Sequence, residues 1–191
     1  MEARITHTGR DAGAKLARAL DREGVTRIIL IAGRYPIATA IQREIELIGM
    51  PGAILTGPLR ISSRGKLRLV DVNVEGGIQV ECFGVLHLQS SHLDAGRSLA
   101  ALALGANSEC LLNASVLDGG SGIALAVDDH ASATINRCHI KGEKAAVASG
   151  PLARIVMGDN RLNGPSVIVQ KAAERGMSPT RAKAAIARWA F

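Results

Sequence analysis

The chain has 191 residues, of which 47% are hydrophobic and 21% charged, enough to bury a core and too apolar for bulk disorder. Only 2% are aromatic (Tyr35, Phe83, Trp189 and Phe191), so the core must be assembled from Leu, Ile, Val and Ala in small, repeated slots. The net charge of +6 is localised: residues 170–191 carry five basic side chains against Glu174 alone, whereas the other 169 residues hold 18 basic and 16 acidic ones.

A near-neutral body with neither a basic stripe nor stacking aromatics argues against a nucleic-acid partner. Cys82, Cys110 and Cys138 show no CxxC spacing and cannot all pair, which argues against a disulfide framework or a zinc cluster. The first residues lack the apolar core of a signal peptide, and no apolar run has the length of a membrane span. The expected setting is therefore a reducing cytoplasm, although export without a cleaved signal leaves no such mark.

In chain order, residues 11–23 are predicted to form a helix with Ala14, Leu16, Ala17 and Leu20 on its apolar side and Gly24 as its stop. TRIILIAGRYPI (26–37) then begins the strands. After it comes one phrase written repeatedly. A loose copy is REIELIGMPGAILTG (43–57), followed by GKLRLVDVNVEGG (65–77), GVLHLQSSHLDAG (84–96), SECLLNASVLDGG (108–120), ASATINRCHIKGE (131–143) and PLARIVMGDNRLNG (151–164). Leu47, Leu69, Leu88, Leu112, Ile135 and Met157 occupy one register, at spacings of 22, 19, 24, 23 and 22 residues. A period of that size means a solenoid.

The period inside each copy selects the solenoid. Leu67 and Leu69 alternate with Lys66 and Arg68, and Val72 and Val74 alternate with Asn73 and Glu75. That is strand periodicity with a phase shift between the pairs. Gly76, Ala95, Gly119, Gly142 and Gly164 close the phrase, and a third apolar stretch (IQVEC, LAALAL, GIALAV, AAVA) separates successive copies. Three short strands per coil describe a parallel β-helix of about six coils. Cys110, aligned with Leu67 and Leu86, and Cys138, aligned with Val72 and Ser115, are expected in interior slots. SVIVQ (166–170) reads as a last half coil of a single domain, residues 1–170.

Residues 171–191 read as a basic C-terminal tail, with Ser178 as N-cap, Pro179 at the first helical position, and Ala182, Ile186 and Trp189 on one face. Such a helix either covers the open end of the rod or docks elsewhere, with Arg181, Lys183, Ile186, Arg188 and Trp189 as its candidate binding residues.

The opening string, a helix followed by RIILIAGRYPI and REIELIGMPGAILTG, with turns at Gly33–Tyr35 and Leu47–Gly49, resembles right-handed parallel β-helix proteins of the pectate-lyase-like class. It is especially similar to their short carbohydrate-binding and sugar-hydrolase repeats, over roughly residues 11–170. The resemblance implies the fold; it spans lyases, hydrolases, epimerases, adaptors and inert spacers, and so implies no single activity. It also implies that a lyase would set an outward Lys or Arg base, such as Lys141 or Arg161, beside calcium-binding acids.

Two outward columns follow from the alignment: Asn73, His92, Val116, His139, Arg161, and Glu75, Asp94, Asp118, Lys141, Asn163. Three stacked carboxylates, Glu75, Asp94 and Asp118, repel unless a cation, a shared proton or local hydrogen bonds compensate. They are the candidate metal ligands (calcium), and with His92 and Lys141 the candidate catalytic groups of a polysaccharide lyase or glycoside hydrolase. The local alternative is that each acid serves its adjoining turn. VDDH (127–130) is a second acidic turn, and Tyr35 and Phe83 are the aromatics available for a sugar face. Short coils without long loops predict a flat wall rather than a cleft. The expected function is therefore a non-catalytic scaffold or adaptor that binds a protein partner through its wall or tail, without a cofactor. A polysaccharide-acting enzyme, or homo-oligomerisation through the solenoid ends, stands as the alternative.

Overall fold

A computed structural model describes residues 1–5 and 11–168 and shows a parallel β-helix of about seven turns. All its strand pairs are parallel, and its course is consistent with the right hand such crossovers take. The coils stack into three sheets of eight, seven and six strands, here called A, B and C in chain order within a coil. The fourth coil is representative: Val85–Gln89 in sheet A, His92–Asp94 in B and Ala100–Leu104 in C.

The repeat register is the observed one. Leu47 pairs with Leu69, Leu69 with Leu88, Leu88 with Leu112, Leu112 with Ile135 and Ile135 with Met157. Ile28 pairs with Leu47 and extends the column by one coil. The expected six coils are therefore corrected to seven: Arg27–Leu30 and Gly33–Pro36, with Ile41 bridged to Ile61, make a first coil whose sequence does not carry the phrase. From Ile28 to Ile135 the column is at most 1% exposed. Each such side chain is worth about 1.5–3 kcal/mol of burial.

The phase shift inside each phrase has a backbone cause. Asp71, Ser90, Ala114 and Arg137, at the turn from sheet A to sheet B, have φ of +54°, +49°, +48° and +54°. One left-handed residue swings the chain between sheets and resets which side chains face inward. The next position forms a polar ladder. Ser91 Oγ accepts from Val72 N–H at 3.1 Å and Ser115 Oγ from Ser91 N–H at 3.2 Å, while Asn160 Oδ1 accepts from Cys138 N–H at 2.8 Å. Cys110 and Cys138 are interior, as expected, and burial pushes both thiols up from their ordinary pKa; Cys82 is exposed.

The N-terminal end is closed. Glu2–Ile5 adds a strand to sheet A beside Arg27–Leu30, and the helix, observed at Ala12–Asp21, crosses that end. Its buried side is Ala12, Leu16 and Leu20, whereas Ala14 faces water. Gly13 permits this closeness, because a Cβ there would lie 2.7 Å from the Pro36 carbonyl oxygen. Arg43 satisfies the carbonyls at the helix end, donating to Leu20 O at 2.8 Å, to Arg22 O at 2.9 Å and to Val25 O. The Tyr35 hydroxyl donates to Ile31 O at 2.8 Å.

At the other end, the seventh coil (Arg154–Met157, Arg161–Asn163, Ser166–Ile168) exposes Met157 at 39%, Leu162 at 40% and Ile168 at 68%. The expected tail helix of residues 171–191, with its candidates Arg181, Lys183, Ile186, Arg188 and Trp189, lies outside the described residues. Among the described residues no helix is long and apolar enough to cross a membrane.

Candidate functional site

Both outward columns exist in the register expected. His92 pairs with Asn73 and Val116, and Asp94 with Glu75 and Asp118; Lys141 and Asn163 follow in the same column. The strand ends of sheet B thus bring Glu75, Asp94 and Asp118 onto adjacent coils, about 4.8 Å apart along the backbone.

Each carboxylate is nevertheless engaged locally. Both oxygens of Glu75 accept from the Arg34 guanidinium, two coils earlier, with Nη1–Oε1 at 3.2 Å. Asp94 Oδ1 accepts from Gly96 N–H at 2.6 Å, and Asp118 Oδ1 from Gly120 N–H at 2.8 Å, the same turn written one coil apart. Asp118 Oδ2 also lies 3.4 Å from Lys141 Nζ. The Gly120 N–H chiefly holds the Asp118 carboxyl below its usual pKa; partial burial opposes it, and the nearby Lys141 ammonium adds to the lowering. Stacked like charges are relieved here by turn donors and cross-coil cations. Among the described residues no three of His, Cys, Asp and Glu are grouped so that they could hold a metal ion.

The VDDH turn is equally committed to structure. Asp128 Oδ1 accepts from Asp129 N–H at 2.7 Å. Asp129, only 4% exposed, accepts from Leu152 N–H at 3.2 Å and so ties the turn to the next coil. Gly150 has to be glycine, since a Cβ there would collide with Asp129 Oδ1.

The outer face of sheet A offers a different surface. An open recess of about 1010 Å³ lies over it, lined by Arg27, Glu46, Arg68, Phe83, His87 and Glu109 among others. Arg27 Nε lies 2.6 Å from Glu46, and Glu46 lies 3.2 Å from Arg68, so three coils share one ion-pair row. At the rim stands Phe83, 66% exposed with φ of +63°. Its counterparts in the next two coils are Asn107 at +59° and His130 at +62°.

Asn and His tolerate that left-handed conformation, whereas an L-residue without a short polar side chain pays roughly 1–2 kcal/mol for it. At 66% exposure, Phe83 recovers only part of a buried side chain's stabilisation against that cost. Phe83 was legible in the sequence only as an outward aromatic; its strain becomes visible once the turn is aligned with ALGANS (103–108) and VDDHAS (127–132). No protein-family model, curated protein or solved structure matches the chain.

Proposed function

We propose that the chain is a non-catalytic β-helix scaffold, of the pectate-lyase-like class in its architecture, that binds a protein partner on the outer face of sheet A around Phe83. The observation that supports this reading is an aromatic side chain kept exposed in a strained turn whose sister turns use Asn and His. Leu111, 42% exposed, pairs with His87 on the same face, and the Arg27–Glu46–Arg68 row supplies a polar surround. A few apolar anchors in a polar frame are how protein interfaces concentrate binding energy.

Affinity purification with cross-linking, run in parallel for the wild type and Phe83→Asp, tests the reading. A defined partner retained by the wild type and lost by the folded variant supports it. The same proteins on both baits refute it.

A polysaccharide lyase or hydrolase is the second reading, and Lys141 beside Asp118, one coil from Asp94, is the observation in its favour. It would require these groups to leave their turn and ion-pair partners for a substrate, with calcium as the cation if any is used. Incubation with calcium and a panel of acidic and neutral polysaccharides, read by product mass, separates the two. Cleavage abolished in Asp94→Ala and Asp118→Ala would establish the enzyme and displace the scaffold.

A further inference from the structure

Phe83, Val85 and His87 alternate with the buried Gly84, Leu86 and Leu88, so they form the outward line of the fourth coil on sheet A. That coil is the middle one of seven, with three on either side. A two-fold axis over the midpoint of a face brings the residues there against their own counterparts, which is the geometry of an isologous contact between identical chains.

The charges decide whether such a contact is favourable. On coils two to five, one outward column of sheet A reads Glu44, Lys66, Val85, Glu109, and the next reads Glu46, Arg68, His87, Leu111. Glu46 is committed to Arg27 and Arg68. Lys66 and Glu109 are exposed and form no ion pair among the described residues.

Two faces packed together exchange about an axis lying between them. If that axis follows the strands, each coil meets the coil equally far on its other side. Over coil four it sets Lys66 of each copy opposite Glu109 of the other, and Arg68 opposite Leu111. Over coil three it would oppose Lys66 to Lys66 and Arg68 to Arg68; over coil five, Glu109 to Glu109. Midway between coils three and four it would oppose Glu44 to Glu109. Opposed like charges suppress a register, so these charges select the one centred on the Phe83 coil.

We propose that the partner of this face is a second copy of the chain, in an antiparallel two-fold dimer of rods centred on coil four, with Phe83 near the axis and two reciprocal Lys66–Glu109 ion pairs. The inference rests on the reading of sheet A as an interface and names its occupant. The strands of the face span about 29 × 16 Å, below the size of a permanent interface, so the dimer should dissociate on dilution.

Sedimentation of the whole chain from micromolar to near-millimolar concentration reads the mass, with the β-helix followed by circular dichroism. A monomer–dimer equilibrium is expected. Lys66→Glu and Glu109→Lys each create two like-charged pairs and should each weaken the dimer about tenfold or more. An equimolar mixture of the two variants should recover association, because both opposed pairs then carry opposite signs. Phe83→Asp should abolish the dimer, and Phe83→Asn carries the same test if the aspartate impairs folding.

A wild type that is monomeric throughout overturns the proposal. So does a dimer that the Phe83 variant leaves unchanged, or a mixture that associates no better than either variant alone. The interface reading is decided separately by the affinity purification. A monomeric wild type that still retains a Phe83-dependent protein keeps that reading and loses this one, whereas one that captures the same proteins as Phe83→Asp loses both.

Discussion

The two ends of the rod are built from the same coil and finished differently. At the N-terminal end an added strand and the Ala12–Asp21 helix cover the first coil, and Leu16, Val25, Ile28 and Tyr35 are fully buried beneath them. At the other end the seventh coil continues every column, yet Met157 and Leu162 are 39% and 40% exposed, where their predecessors Ile135 and Ile140 are 0% exposed. The repeat thus fixes where a side chain points, whereas only a neighbouring layer fixes what it contributes. A solenoid side chain stabilises in proportion to the coil above as well as the coil below.

The largest expected effect lies inside one column. Leu88→Ala should cost about 2–5 kcal/mol, whereas Met157→Ala, in the same register at the open end, should cost about 1 kcal/mol or less. Urea unfolding of the pair measures the difference; equal losses would show that the last coil is covered as fully as the fourth.

Next comes the closure itself. Arg43→Ala removes the donor to three carbonyls at the helix end and should cost about 1.5–3 kcal/mol, by analogy with charged hydrogen bonds. Amide exchange should speed up first in residues 12–25, and Arg43→Lys, without the forked guanidinium, should restore little.

Smaller still is the effect of a turn carboxylate in the middle of the rod. The Asp118 pKa is depressed in the folded state, so its contribution is present above the unfolded value near 4 and is lost as pH falls through the folded value. Asp118→Asn should therefore lower stability by less than about 1 kcal/mol at neutral pH and flatten the acid loss below about pH 4. Unfolding curves from pH 7 to pH 2.5 give the slope, and an unchanged slope would mean that the Gly120 contact is not held in solution.

Much of the body of the rod was legible in the sequence, and the reasons are physical. The period-two alternation of Leu67 and Leu69, the closing glycines and the 19–24-residue spacing each restrict the backbone separately and agree with one another. The residue pairings across sheets A and B followed from them without error. The first coil was not counted, because GRYPIATAIQ lacks the phrase and its third strand is reduced to the Ile41–Ile61 bridge. The Glu2–Ile5 strand was missed because a helix separates it from its partner, and local pattern carries no record of such pairing.

The candidate site was legible only as a list. Alignment placed Glu75, Asp94 and Asp118 in one column, yet the Arg34 contact joins residues 41 apart in sequence and has no local signature. The strain at Phe83 was hidden for a related reason: a positive φ is written in the chain's path, and the neighbouring glycine, Gly84, is not itself left-handed.

Phe83 therefore carries the central claim, that binding rather than folding accounts for the residue at this turn. The direct measurement is the unfolding free energy of Phe83→Asn, which installs the side chain that coil five uses at the same place. The account predicts a gain of about 0.5–1 kcal/mol, as left-handed strain is relieved. A loss of stability would show that Phe83 is held for packing, and would remove the observation on which the proposed interface rests.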